Sequence, residues 1–151
     1  MKIAIGCDHA GVQLKKAIIE YLQEDAYEIV DCGTFSEESV DYPDIAELVA
    51  GEVLRNNNTQ GILICGTGIG ISIAANKING IRAALCHNSF CARLAREHND
   101  ANILAIGARI TGVDLARDII KTFLKSNFQA GRHLRRVEKI NRLEQKSCER
   151  G

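Results

Sequence analysis

The chain has no tryptophan, a single proline, no net charge and no long apolar run. Its 19 basic and 19 acidic residues cancel, which argues against nucleic acid or an anionic membrane surface as the main partner. None of its apolar runs approaches the roughly 18 residues of a transmembrane helix. The first residues, 1–6, predict a strand rather than a signal peptide. We therefore expect a globular protein that works on neither nucleic acid nor a membrane.

The six cysteines also lack the spacing of a metal site. Cys86 and Cys91 are five positions apart with no matching second pair, so the pattern argues against bound zinc. Without a secretion signal, the thiols are expected to be reduced, in the cytoplasm. Cys32, Cys86 and Cys91 are interpreted as small buried or half-buried apolar side chains. Cys7 and Cys148 have no role that the sequence assigns.

Length and periodicity predict one domain, residues 1–151, in which strands alternate with helices. We predict strands at 2–7, 28–31, 61–65, 81–86 and 102–106. We predict helices at 12–24, 43–55, 72–77, 89–97, from 111 or 112 to 125, and 135–146. Short strands separated by helices imply a parallel sheet covered on both faces. The predicted fold class is α/β, a Rossmann-like three-layer sandwich with a five-stranded parallel sheet and an extra C-terminal helix.

A glycine-rich loop after the third predicted strand is the most informative motif. It starts at Cys65 and continues Gly66-Thr67-Gly68-Ile69-Gly70. It lacks the lysine of a nucleotide-binding P-loop, the glycine spacing of a dinucleotide fingerprint, and the arginine that a cysteine phosphatase needs at the position of Ile71. Its backbone N–H groups could still stabilise an oxyanion, and a helix N-terminus favours a nearby thiolate. The alternative is a tight turn that binds nothing.

Three further polar clusters have a functional and a structural interpretation each. Asp8 and His9 follow the first strand, where ligands of such sheets bind, but Asp8 could simply cap a helix. His98 could act as a general acid or base, or only complement a helix dipole. Arg132 and Arg136 would share one helix face if that helix includes both, forming a phosphate clamp that Arg109 could join, or a solvated surface.

Taken in order, these motifs resemble the type B ribose-5-phosphate isomerases, a family that includes the galactose-6-phosphate isomerase subunits. The resemblance runs from residue 2 to about 145. It is carried by Gly6-Cys7-Asp8-His9-Ala10-Gly11, Asp41-Tyr42-Pro43, the Cys65–Gly70 loop, Arg96-Glu97-His98-Asn99-Asp100, Gly107-Ala108-Arg109, and Gly131-Arg132-His133 with Arg136. Each motif is weak alone, but six in this order are specific.

The resemblance implies that D-ribose 5-phosphate and D-ribulose 5-phosphate are interconverted with no metal or organic cofactor. It implies that Cys65 is the base, and that Thr67 and the backbone of Gly66, Gly68, Ile69 and Gly70 stabilise an enediolate. It assigns ring opening to His98, with Asp8 and Tyr42 as polar contacts. It assigns the phosphate to His9, Arg109, Arg132 and Arg136, and a sugar contact to Asn99. It also implies a homodimer or tetramer whose sites lie between subunits.

Several alternatives stay open at this point. One subgroup of the family uses a glutamate at the position of Ile71, and this chain resembles the cysteine subgroup instead. Allose 6-phosphate or galactose 6-phosphate could be the substrate. A sugar-phosphate sensor without catalysis would need the phosphate contacts but no base. A redox protein would need a second thiol near Cys65.

Overall fold

A computed structural model describes residues 1–149, with side chains up to residue 146, so that the Cys148 side chain lies outside the described part. It contains a five-stranded parallel sheet with the strand order β2-β1-β3-β5-β4. The strands are β1 (Lys2–Cys7), β2 (Glu28–Asp31), β3 (Thr59–Cys65), β4 (Ala83–Leu85) and β5 (Ile103–Gly107). The predicted fold class is confirmed.

Helices cover both faces of this sheet. They are α1 (Val12–Glu24), α2 (Tyr42–Arg55), α3 (Ile69–Ala75), α4 (Ser89–Asn99), α5 (Val113–Lys125) and α6 (Arg132–Glu149). Helices α1, α4 and α5 pack on one face, and α2 and α3 on the other. Helix α6 contacts α4. Within residues 1–149, no helix combines the length and the apolar character needed to span a bilayer.

The alternation of side chains along β3 decides where the cysteine of the glycine loop points. Ile62 and Ile64 belong to the core under α1, α4 and α5, whereas Leu63 and Cys65 belong to the core under α2 and α3. Successive side chains of a strand point to opposite faces, and here both faces are buried. Cys65 therefore ends the strand on the side of α2 and α3.

Several predicted boundaries are wrong, and two of the errors affect functional residues. Helix α3 begins at Ile69 and not at residue 72, because Gly68 turns the chain with a φ of 77° directly into the helix. Helix α6 begins at Arg132 rather than residue 135. In addition, β3 starts two residues earlier than predicted and α4 ends two residues later than predicted. The observed β4 spans only Ala83–Leu85, and strands at a sheet edge are often short.

Candidate active site

Three strands at the centre of the sheet end side by side. Cys7 lies opposite Ile64 at the end of β1, and Cys65 lies opposite Gly107 at the end of β5. In the strand order, β1 lies between β2 and β3, so the chain continues to opposite sides of β1 at this point. Ligands of open parallel sheets bind at such a switch point, beyond the carboxyl ends of the strands. We call this end of the sheet the carboxyl edge.

Cys65 lies at this edge with little exposure and one directed hydrogen bond. Its side chain is 4% exposed, and the backbone N–H of Gly68 donates to Sγ at 3.1 Å. An N–H donated to sulfur stabilises negative charge on it. Ile71, the position at which a glutamate would serve as base, is fully buried and apolar. The side chain at position 71 thus has no proton to exchange, whereas the Cys65 thiol has one.

Thr67 and the start of α3 present hydrogen-bond donors beside that thiol. The Thr67 Oγ1 accepts from the Ile69 N–H at 3.2 Å, so its hydroxyl proton is left to donate outward. The Thr67 side chain is exposed. A helix leaves its first N–H groups without partners inside the helix, and α3 begins here. These donors can stabilise an oxyanion formed next to Cys65.

Two side chains lie directly on the glycines of the loop. A Cβ on Gly70 would approach the Tyr42 ring to 2.6 Å, and one on Gly66 would approach the Arg109 guanidinium to 3.1 Å. The backbone N–H of Arg109 donates to the Gly66 carbonyl at 3.0 Å. Glycine at 66 and 70 therefore allows Tyr42 and Arg109 to lie against the backbone of the loop, within reach of a ligand that the loop binds.

Asp8 and His9 complete this group from the end of β1. An Asp8 carboxylate oxygen accepts from the Ala10 N–H at 3.0 Å, so Asp8 caps the short 3₁₀ turn His9–Gly11 rather than α1. The His9 Nδ1 accepts from the Val40 N–H at 3.3 Å. His9 and the rest of this group come from the ends of β1, β3 and β5, from the residues that follow them up to the first turn of α3, and from the first residue of α2.

His98 and Asn99 lie at the opposite end of the sheet, which we call the amino edge. Helix α4 returns from the end of β4 to the start of β5, and these two residues end it. The seven residues of β3 rise roughly 20 Å from one edge to the other. A single five-carbon sugar phosphate cannot contact Cys65 and His98 of the same chain.

Arg132 and Arg136 lie at the same edge as His98. Both are exposed and fall within the first two turns of α6, so the condition for a shared helix face is met. Between them, His133 stacks on His98 with ring centroids 4.1 Å apart and an interplanar angle of 9°. The stack joins the arginines of α6 to the end of α4. His133 was not predicted as a site residue, although it lies inside one of the motifs.

Arg82 connects the end of α4 to α6 near the amino edge. Its guanidinium donates to the backbone carbonyls of Asn99 and Asp100 at 3.0 Å each and pairs with the Asp100 carboxylate at 3.0 Å. It also reaches the Asn141 side chain on α6 at 3.5 Å. No sequence motif indicated Arg82, because its partners are main-chain atoms 17 and 18 residues away.

The structure thus divides the predicted site residues into two groups. The carboxyl half-site consists of Asp8, His9, Tyr42, Cys65, Gly66, Thr67, Gly68, Ile69, Gly70 and Arg109. The amino half-site consists of His98, Asn99, Arg132 and Arg136. Among the described side chains, those of residues 1–146, no group of three or more His, Cys, Asp or Glu is placed to hold a metal ion.

The remaining cysteines differ from Cys65 in their surroundings. Burial raises the pKa of Cys7 and Cys32 to about 11 and that of Cys86 to about 12, so these three remain protonated at neutral pH. The prediction for Cys91 is wrong: it is exposed on the first turn of α4, where Asn88 caps the helix by accepting from its N–H. The prediction holds for Cys32 and Cys86.

We expect the free energy of unfolding to fall as the pH drops below about 6.5, in part through His133. Burial, with His98, Arg132 and Arg136 nearby, lowers the pKa of His133 below its ordinary value of 6.5. The unfolded chain then binds a proton more readily than the folded chain, so acid favours unfolding. Chemical denaturation at about pH 7.5 and about pH 5.5 measures the slope, which His133→Gln should reduce. The exposed His87, changed to Gln, serves as control. An unaltered slope in His133→Gln would contradict the assignment.

Comparison with known proteins shows similarity over nearly the whole chain. The family described as Ribose/Galactose Isomerase matches residues 3–140. The chain is 50% identical over 145 residues to ribose-5-phosphate isomerase B of Escherichia coli K12, covering 96% of this chain and 97% of that protein.

Solved structures are similar over nearly the whole chain. Ribose-5-phosphate isomerase B of Clostridium thermocellum superposes with a TM-score of 0.95 at 57% identity, covering 97% of this chain and 99% of the other. The Mycoplasma genitalium isomerase B, solved with bound ribulose-5-phosphate, has a TM-score of 0.91 at 44% identity, with coverages of 95% and 96%. Both agree in length and fold with the chain described above.

Proposed function

The chain belongs to the ribose/galactose isomerase family, and from this premise we propose that it interconverts D-ribose 5-phosphate and D-ribulose 5-phosphate with Cys65 as the base. The observation that carries the proposal is the position of Cys65. Its sulfur lies at the carboxyl edge, accepts one backbone N–H, and stands next to the donors of Thr67 and α3. A thiol there can move a proton on a substrate whose negative charge the same loop stabilises.

The reaction begins with the sugar ring. The C1–O4 bond of the furanose breaks as O1 loses its proton and O4 gains one, which exposes the C1 aldehyde. His98 has the chemistry for this step, because an imidazole can give and accept protons near neutral pH. Asp8 and Tyr42 supply polar contacts near the ring. The open aldose then lies with C1 and C2 at the Cys65 loop.

Proton transfer follows between two neighbouring carbons. The Cys65 thiolate takes the proton from C2. The electron pair of that C–H bond forms the C1=C2 bond, and the carbonyl pair moves onto O1 to give a cis-enediolate. O2 then loses its proton to become the ketone, O1 gains one, and C1 takes back the proton held by the thiol. Atoms and electrons balance within the sugar, so the step consumes no oxidant or reductant.

Stabilising the enediolate is as important as removing the proton. Carbon acids next to a carbonyl are weak, and a donor placed in advance can contribute roughly 3–4 kcal/mol to such an anion. The Thr67 hydroxyl is one proposed donor, and the others are the N–H groups of α3 that follow Ile69, since the Ile69 N–H already donates to Thr67 Oγ1. The phosphate orients the substrate from its other end, through His9, Arg109, Arg132 and Arg136, with Asn99 on the sugar.

This assignment requires two chains, because the two half-sites lie at opposite edges of one sheet. We propose a homodimer in which the amino half-site of one subunit meets the carboxyl half-site of the other. Exposed apolar side chains surround both: Ile69, Ile73, Phe90 and Ile110 at the carboxyl edge, and Leu134, Ile140 and Leu143 on α6. Apolar surface of this kind is typical of a subunit interface. Pairing of such dimers into a tetramer would need a further contact surface, because these side chains are already used within the dimer.

Two of the alternatives meet specific obstacles in this site. A sensor would have no use for a thiol beside oxyanion donors. A redox protein needs a second thiol within bonding distance of Cys65, but Cys7 points to the opposite face of the sheet, and Cys32 follows a strand two positions away, roughly 9–10 Å. The free cysteines in the described part fit the reducing cytoplasm in which we propose that the protein works.

We expect the purified protein to form ribulose 5-phosphate from ribose 5-phosphate at full rate in the presence of EDTA. A panel with allose 6-phosphate and galactose 6-phosphate tests the six-carbon alternatives, and the substrate with the highest kcat/KM identifies the specificity. If ribose 5-phosphate binds without conversion, exchange of its C2 proton in deuterated water decides the case. Binding without exchange would contradict the isomerase and favour the sensor.

A further inference from the structure

A lysine with almost no exposure lies behind the carboxyl half-site. Lys15 of α1 is 2% exposed, and its ammonium donates to the Asp31 carboxylate at 2.5 Å and to the Thr34 carbonyl at 2.8 Å. The ammonium also lies 4.5 Å from the centre of the Phe35 ring. A buried charge is costly unless it is paired and hydrogen-bonded. All three partners belong to the end of β2 or to the segment 32–41 that follows it, so Lys15 fastens this segment to α1.

The same segment is attached to the end of β1. The Thr34 N–H donates to the Cys7 carbonyl at 2.7 Å, and the Cys7 N–H donates to the Gly33 carbonyl at 2.6 Å. The Cys7 thiol, which its raised pKa keeps protonated, lies 3.8 Å from the Thr34 carbonyl oxygen as a further donor. Cys7 immediately precedes Asp8 and His9. One end of the segment therefore lies hydrogen-bonded to the end of β1, directly before Asp8 and His9.

The other end of the segment holds the His9 ring itself. The Val40 N–H donates to Nδ1, and a nitrogen that accepts a hydrogen bond carries no proton. The neutral ring must then carry its proton on Nε2. This tautomer leaves an N–H donor on the side of the ring facing away from the segment. A phosphate oxygen needs such a donor.

We propose that Lys15 is a positioning residue for phosphate binding. It holds segment 32–41, the segment holds Val40 against His9 Nδ1, and the His9 Nε2–H is thereby kept ready for a phosphate oxygen. Lys15 itself does not touch the substrate. The inference rests on the proposed function only in taking His9 as a phosphate contact.

We expect Lys15→Met to raise KM for ribose 5-phosphate and the inhibition constant of inorganic phosphate together, by about tenfold, with kcat changed by no more than about threefold. Lost phosphate binding shifts KM, whereas loss of the base would shift kcat. Lys16→Met is the matched control, because Lys16 is the next residue of the same helix and is exposed. It should leave both constants at their original values.

A second variant separates positioning from stability. Lys15→Met leaves the Asp31 carboxylate without its cation, which destabilises the fold. Adding Asp31→Asn removes that charge, so the double variant should recover stability. Its KM should stay raised, because the Thr34 carbonyl and the Phe35 ring still have no ammonium to hold them. A KM equal to that of the original protein, in the double variant or in a folded single variant, would overturn the proposal.

Nitrogen NMR of His9 in the protein without substrate gives a readout that does not depend on turnover. The original protein should show His9 protonated on Nε2, and Lys15→Met should show a mixture of the two tautomers. Unchanged His9 signals in the variant would overturn the proposal. Absence of isomerase activity in the original protein would refute the proposed function instead, and the His9 signals would still decide whether Lys15 controls the ring.

Discussion

Replacing Cys65 by alanine is expected to reduce kcat by about 10³-fold or more, with KM nearly unchanged. Proton transfer by a positioned side chain contributes about 10²–10⁴-fold to a rate, and the side chain at position 71, where a glutamate would serve as base, is a buried isoleucine. KM should change little, because the proposed phosphate contacts remain. The measurement is steady-state turnover of ribose 5-phosphate, together with exchange of the C2 proton in deuterated water, which should also disappear.

The matched control for this variant is Cys32→Ala. Cys32 is a half-buried thiol that follows β2, its pKa is raised to about 11, and it lies outside both half-sites. Its replacement should leave kcat within about twofold of the original value. Circular dichroism and the oligomer mass should match among all three proteins. A Cys65→Ala protein with the original kcat would show that another group moves the proton.

Local patterns were sufficient to predict the layers of the fold and the end of the sheet that carries Cys65. The strand bounds of β1 and β2 and the bounds of α1 are as predicted, since apolar periodicity is strong there. The start of α3 was missed because Gly68 and Gly70 are typical of loops. In the structure, Gly68 supplies the left-handed turn and Gly70 lies inside the helix, against Tyr42.

The contacts that tie the site together could not be predicted, because they join distant residues through main-chain atoms. The bond from Val40 to His9 spans 31 positions, and that from Arg82 to Asp100 spans 18. The strand order, in which β5 lies between β3 and β4, is likewise set by packing rather than by any one segment. By contrast, the separation of His98 from Cys65 follows from the predicted order, because His98 lies between a helix and the start of the next parallel strand; what the structure adds is the stack of His98 on His133 of α6.

Because the two half-sites lie at opposite edges of one sheet, two inactive variants should restore each other's activity when they form a mixed dimer. Cys65→Ala disables the carboxyl half-site. The double variant Arg132→Met/Arg136→Met disables the amino half-site by removing two exposed guanidiniums. Hydrogen bonds to charged groups contribute about 1.5–3 kcal/mol each, so the double variant should lose about 10²-fold or more in kcat/KM. At ribose 5-phosphate concentrations well below the original KM, where kcat/KM sets the rate, each protein alone should be nearly inactive.

A mixed dimer of these variants contains one site with both defects and one site with none. Random association places half of the subunits in mixed dimers, so co-expression should restore about a quarter of the original activity. The control pairs Cys65→Ala with Arg109→Met. Both changes fall in the carboxyl half-site, so every site in that mixed dimer carries a defect and activity should stay low.

The activity of the co-expressed Cys65→Ala and Arg132→Met/Arg136→Met proteins therefore decides whether each active site is built from two chains. The shared site predicts recovery of about a quarter of the original turnover of ribose 5-phosphate, with no recovery in the Arg109 control. A mixture in which mixed dimers form but turnover stays at the level of the separate variants would contradict a site built from two chains.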